Sequence, residues 1–296
     1  MTANIMEHLE NSGVEIVSHF DKALGSTFAG ERRVAIEAGL SAGDLVMSRF
    51  RQPQSIQHKS GKDFTTEMDS QAETLIKELI GQYFPSHGFL GEEQGVSGEM
   101  NYQWIIDPID GTFNYAFGLP YFAVSIALVH DGTPLVGMVY DPYHGELFFA
   151  QRGGGAWMNT RSVRTSDRKK LEDAIVCLDF SYDVDERMES LDRIRGLVPY
   201  IRSFRILGSA ALGLVYVACG RLDVFFHQEL KPWDWAAAAL IVQEAGGRLT
   251  DIHGREQRIV TGSQDVLATN GLVHDELLAM VSSIRIQQDR SATVSL

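Results

Sequence analysis

Two cysteines, Cys177 and Cys219, are all that 296 residues contain. Both stand among apolar neighbours (AIVCLDF and VYVACGRLD), which predicts buried, reduced thiols and leaves no framework for a disulfide scaffold or a thiolate metal site. Cations are scarce as well, with 26 Lys and Arg against 39 Asp and Glu and a net charge of -13. Such a surface repels nucleic-acid phosphates and anionic membranes, so neither is an expected partner. No stretch reaches the length of a membrane-spanning helix, and the opening MTANIMEHLENSGVEIVSHF lacks a basic region followed by an apolar run. A soluble, unexported, cytoplasmic protein is the expectation. What the chain does have is apolar side chain, 44% of its residues, enough to bury a core in one large domain or two packed halves.

Residues 1–30 are mixed, end in the small-residue patch GSTFAG, and read as an N-terminal extension without chemistry of its own. From Glu31 the apolar positions Val34, Ala35, Ala38, Ala42, Leu45 and Val46 recur at helical spacing. Ala72, Leu75, Ile76, Leu79, Ile80 and Tyr83 do the same after a capping box, Ser70 with Glu73. Between these helices the polar segment HKSGKDFTTEMD forms a loop or short hairpin that delivers Asp69. Short apolar runs separated by turns predict an antiparallel meander from Phe89 to Asn159. Further on come a strand Ala174–Leu178, a helix Ser209–Ala218, a strand Asp223–Phe226, a helix Trp233–Ala245 closed by Gly246 and Gly247, and a last helix Val273–Ile284. The architecture is layered α/β: an α+β half over 31–160 with a largely antiparallel sheet, then an α/β half over 161–296 with a mixed sheet.

The densest chemistry lies in Trp104-Ile-Ile-Asp107-Pro108-Ile109-Asp110-Gly111-Thr112. An apolar strand ends in Asp107, where Pro108 is expected to stop the ladder at a cleft, and Asp110 follows within one turn. Backbone N–H groups at Gly111 and Thr112 are suited to cradle an anion, and carboxylates beside such a nest call for cations between them. A second acidic pair, Glu92-Glu93, follows another short apolar run, and Asp234 opens a strongly helical segment, WDWAAAALIVQEAGG. Each alone is explained by a solvated turn or by the helix dipole.

In combination and order, KDFTTEMD, GEE, WIIDPIDGTFN and WDWAAAALIVQEAGG resemble the inositol monophosphatase family from about Glu31 to Ile284. The resemblance implies a sugar-phosphatase-like αβαβα sandwich and magnesium-dependent, lithium-sensitive hydrolysis of a small phosphorylated metabolite by a homodimer. It implies two to three Mg²⁺ ions. Glu92, Asp107 and the Ile109 carbonyl would hold one, Asp107, Asp110 and Asp234 a second, and Glu92 would also reach a third, weaker ion. An all-oxygen donor set suits Mg²⁺ over Zn²⁺. Asp69 and Thr112 resemble the family's pair that orients the attacking water, with Glu92 beside them. Lys59 or its competitor Lys62 matches the upstream lysine, and Glu93 is a supporting or solvated residue. Asp110, Gly111, Thr112, Gly208, Ser209, Ala210, His227 and Asp234 are the implied substrate contacts. His227 is a departure, because polyol-preferring members usually carry a Glu there. Glu229, two residues on, would share its face if the segment stays extended. Fructose-1,6-bisphosphatase, nucleotide and histidinol phosphatases of the same superfamily, and a non-catalytic phosphometabolite-binding regulator, are the alternatives.

Overall fold

Strands that are apolar on both faces need cover on both sides, and that requirement organises this chain. In Ala123–His130, Val124, Ile126 and Leu128 enter one core cluster while Ala123, Ala127 and Val129 enter another. The computed structural model describes residues 2–52, 55–59, 64–99, 101–181 and 183–281. Its helices are α1 (Thr2–Leu24), α2 (Ala29–Arg49), α3 (Glu67–Tyr83), the single turn α4 (Thr112–Ala116), α5 (Val184–Leu197), α6 (Ala210–Ala218) and α7 (Pro232–Glu244), with residues 274–281 also helical. Lys62 and the expected end of the last helix at Ile284 lie outside the described residues.

Eight strands form the first sheet, in the spatial order Arg161–Val163, Ala156–Met158, Glu146–Gln151, Thr133–Asp141, Ala123–His130, Tyr102–Asp110, Gly88–Gly91 and Gly95–Ser97. The expected meander is antiparallel throughout except that Gly88–Gly91 runs parallel to Tyr102–Asp110. The cause is the hairpin Gly88–Ser97: its second strand takes the sheet edge, so the chain crosses back and enters on the inner side. Five strands form the second sheet, in the order Ser203–Arg205, Ile175–Leu178, Val224–Leu230, Gln264–Thr269, Arg248–Thr250, with the first three mutually parallel.

Three core clusters separate the layers. Helices α2 and α3 cover the outer face of the large sheet through Ile36, Ile76, Trp104 and Ile126. Ile16 and Phe20 of α1 join them, with the Phe20 ring 4.8 Å from that of Phe149. Between the sheets lie α6 and α7, and α7 is buried continuously from Trp235 to Val242, because a helix with a sheet on either side has no solvent face to keep polar. On the far side of the small sheet Leu178, Phe226 and Leu267 pack under Leu197 of α5 and Leu277. Helix, sheet, helix, sheet, helix is the observed stack, an αβαβα sandwich.

Two local expectations change. The cap of α3 is Thr66 with Asp69, not Ser70 with Glu73. Glu73 is instead drawn across to accept the amides of Glu93 and Gln94 at 2.8 and 3.1 Å, with Lys77 paired beside it at 2.8 Å. Helix α5 was not anticipated, since its VDERMESLDRIRGL is too charged to display a periodic face, although Asp183 caps it through the amides of Asp185 and Glu186. A Cβ on Gly137 would stand 2.5 Å from the Ala237 carbonyl oxygen of α7, backbone against backbone. Gly137→Val is therefore expected to lower unfolding free energy by about 1–3 kcal/mol, read by urea denaturation, through displacement of α7 from the sheet.

Candidate functional site

Asp107 and Asp110 stand three residues apart in one strand, which in a regular strand sends their side chains to opposite faces. The strand does not end at Asp107 as expected. It continues to Asp110 with a register irregularity between Asp107, paired with Ser125, and Asp110, paired with Ala123. Pro108 sits inside that irregularity, where its missing N–H costs no ladder bond. The bulge re-aims the chain so that both carboxylates face one point. One carboxylate oxygen each of Asp107, Asp110 and Asp234 falls within a span of 4.8 Å.

Each member is tied down by backbone. Asp107 accepts the Ile109 amide at 3.0 Å, and Asp234, in the first turn of α7, accepts the Lys231 amide at 2.6 Å. Asp110 sits on the N-terminus of α6, taking the amides of Ala210 and Ala211 at 3.1 and 3.0 Å and the Ser209 hydroxyl. Gly111 has φ 92°, and a Cβ there would meet the carbonyl oxygens of Gly208 and Tyr121, both at 3.1 Å, so glycine is what lets this turn approach. Burial raises all three carboxyls, Asp110 to about 7, and neighbouring carboxylates push Asp107 and Asp234 up further. Hydrogen bonds from Ser209, Ala211 and Ala210 pull Asp110 back.

Beside this cluster Lys59 spans Glu92 and Glu93, its Nζ 2.8 and 2.6 Å from their Oε1 atoms. Burial pushes Glu92 up to about 7 against the pull of Lys59. Thr112 Oγ1 lies 3.0 Å from Asp69 Oδ1 and 2.9 Å from the Ile109 carbonyl oxygen, so the pair expected from sequence is in contact. The other oxygen of Asp69 is occupied by the Thr66 amide and hydroxyl. Burial raises Asp69 to about 6.

The substrate side departs from expectation. Ser209 and the Ala210 amide serve Asp110, as just described. His227 has Nδ1 2.5 Å from the Gln228 carbonyl oxygen, and burial lowers its pKa against the opposing charge of Asp179. The strand breaks register between His227 and Leu230, and Glu229 takes a left-handed φ of 56° in an exposed position. Its amide bonds Asp265, and so the face it was expected to share with His227 is lost. Asp179 was missed by sequence reasoning, and Glu73 was assigned to a helix cap instead of to the amides of Glu93 and Gln94. Asp179 carried the same signal as Asp107, an apolar strand ending in an aspartate.

The donor chemistry fits a divalent cation. Three repelling carboxylates share one point, while the nearby Lys59 reaches Glu92 and Glu93 instead and Lys231, whose charge is felt at Asp234, bonds the Ser263 hydroxyl. Asp107, Asp110 and Asp234 would hold such an ion, with Glu92 within electrostatic reach. Carboxyls raised in the folded state bind protons that unfolding releases, so their contribution favours the fold below about pH 4 and is lost as pH rises towards 7. Thermal melts in EDTA should fall between pH 5 and 8, with Mg²⁺ restoring stability at pH 8 more than at pH 5. An Asp110→Asn variant should flatten that slope; an unchanged slope would count against the cluster as its source.

The model of the inositol monophosphatase family matches residues 31–287. "Inositol monophosphatase 2" of Solanum lycopersicum is 41% identical over 254 residues, 83% of this chain and 95% of that protein. "Nus factor SuhB" of Escherichia coli (strain K12) is 39% identical over 251 residues, 83% of this chain and 93% of that one. The solved inositol monophosphatase from Anabaena (Nostoc) sp. PCC 7120 superposes with a TM-score of 0.79 at 36% identity, covering 87% of this chain and 97% of that one. On fold, on the extent of the match and on identity, the chain belongs to the inositol monophosphatase family.

Proposed function

We propose that the protein is a magnesium-dependent phosphomonoesterase acting on a small polyol or sugar phosphate. The observation that carries this reading is the three-carboxylate cluster standing beside the Asp69–Thr112 pair. Bound cations would neutralise phosphate oxygens and acidify the attacking water. The chain's own residues supply position. Thr112 has one hydroxyl proton and two acceptors, Asp69 and the Ile109 carbonyl, so its lone pairs remain to accept from a water O–H. Asp69 is fixed by Thr66 and cannot turn away. Glu92 borders the same space, and Lys59 screens it from Glu93. Gly111, Gly208 and Ala210 lie near Asp110, and with His227 they would form the substrate wall. Since Glu229 does not replace a carboxylate at His227, this wall is less acidic than a polyol-reading site, and sugar or bisphosphate esters enter on equal terms.

A second reading, a regulator that senses a phosphometabolite, is favoured by relatives named "Nus factor SuhB". Inorganic phosphate release separates the two. Turnover is expected with Mg²⁺ and not with EDTA, across inositol 1-phosphate, fructose 1,6-bisphosphate, nucleotide phosphates and histidinol phosphate. Lithium sensitivity belongs to the same expectation. Asp110→Asn and Asp234→Asn should each lower kcat/KM at least about 100-fold while keeping a cooperative melt. Near-normal turnover by either would remove the ligand assignment, and no release across the panel would favour the regulator.

We also read the chain as an appended helix and two halves, one around each sheet, working in the cytoplasm as a homodimer. Support for the dimer is a stripe of exposed Val184, Met188 and Leu191 on α5, beside the Glu189–Arg193 and Asp192–Arg195 ion pairs of the same helix. Two copies crossing there would bury an apolar seam rimmed by charge. Light scattering should show a dimer that Met188→Lys with Leu191→Lys converts to monomer; a monomeric parent would end this reading.

A further inference from the structure

Asp179 has no role in the chemistry described so far, yet it is 4% exposed and stands one residue past the strand Ile175–Leu178. Its own amide donates to the Phe226 carbonyl at 3.3 Å, fixing it against the strand that carries His227. Its Oδ1 accepts the amides of Leu207 and Gly208 at 2.7 and 3.0 Å. The carbonyl oxygens of the same two residues lie 2.9 and 3.1 Å from Asn114 Nδ2. Both peptide units are thus clamped from two sides, and Gly208 takes the φ of 78° that the bend requires.

Immediately after the bend, Ser209, Ala210 and Ala211 hold Asp110. The direction in which the N-terminus of α6 points, and with it the aim of one member of the carboxylate cluster, follows from the bend that Asp179 pins. The remaining oxygen, Oδ2, makes no hydrogen bond among the described residues, and burial raises the carboxyl while the amides of Gly208, Leu207 and Ser209 and the nearby His227 pull it back. A half-satisfied buried carboxylate is a poor device for stability alone, since one acceptor oxygen does all the bonding.

We propose that Asp179 is a positioning residue for Asp110: by clamping the Leu207–Gly208 bend it aims the start of α6 and so sets the affinity of the cluster for a divalent cation. The proposal rests on the metal-site reading above. It acts through Ser209 and α6 and requires no contact between Asp179 and substrate.

Calorimetric titration of Mg²⁺ into the full chain tests it without recourse to turnover. Asp179→Ala, which loses the clamp, should bind Mg²⁺ about 10-fold or more weakly than the parent. Asp179→Asn keeps one acceptor oxygen and should stay within about threefold, the residue of the lost charge felt at Asp110. A lowered Tm with unchanged Mg²⁺ affinity in Asp179→Ala would show a structural role only and overturn the proposal. So would an Asn variant as weak as the Ala variant. Should Asp179→Ala fail to fold, Asp179→Ser, too short to span both amides, carries the same comparison. A parent protein that binds no Mg²⁺ would overturn the metal-site reading itself, an outcome distinct from equal binding by parent and variant.

Discussion

Carboxylates withdrawn from water and set against one another are the most expensive feature of this structure. Asp107, Asp110 and Asp234 converge within 4.8 Å, and Glu92 adds its charge to Asp107. Each would relax outward if the backbone allowed it. The fold denies that movement by attaching two of them to helix starts, Asp110 to α6 and Asp234 within α7, where peptide N–H groups and the dipole favour negative charge. The third lies on a strand covered on both faces. The strain of the cluster is held by the sandwich, and a bound cation would relieve it.

The layers in turn depend on small side chains at their contacts. A Cβ at Gly39 would fall 1.8 Å from Met138 Cε, and one at Gly43 would fall 2.5 Å from the Tyr140 ring, so α2 lies directly on the sheet. Gly137 does the same for α7, which carries Asp234. Close approach of helix to sheet therefore has a functional consequence: it sets the distance between a carboxylate on α7 and two on the strand beneath.

Family membership does not choose between a catalyst and a regulator, because one fold hosts both names among the relatives. What favours catalysis is local. A sensor of phosphorylated metabolites has no evident need of a hydroxyl held between a buried carboxylate and a carbonyl, as Thr112 is held here between Asp69 and Ile109. Lys59, bridging Glu92 and Glu93, shows how the acidic cleft gathers positive charge wherever it can reach it.

Much of this was legible in the order of residues. Alternation and helical spacing announced the sheets and α2, α3, α6 and α7, because buried faces impose periodicity. The strings around Asp107 and Asp234 announced the carboxylates that the fold brings together. Charged α5 was not legible, since its apolar face is too narrow to stand out. Nor was the bulge at Pro108: the sequence by itself determined that two carboxylates flank a proline, but whether they share a face depends on the pairing partner, Ala123–His130. The cap of α3 went to Thr66 because Glu73 found the amides of Glu93 and Gln94, contacts 20 and 21 residues distant. Glu229 lost its face to a register shift set by the neighbouring strand Gln264–Thr269. Local sequence determined which groups are present and what each can donate or accept. Tertiary pairing decided which of them meet, because register and bulges belong to two strands at once.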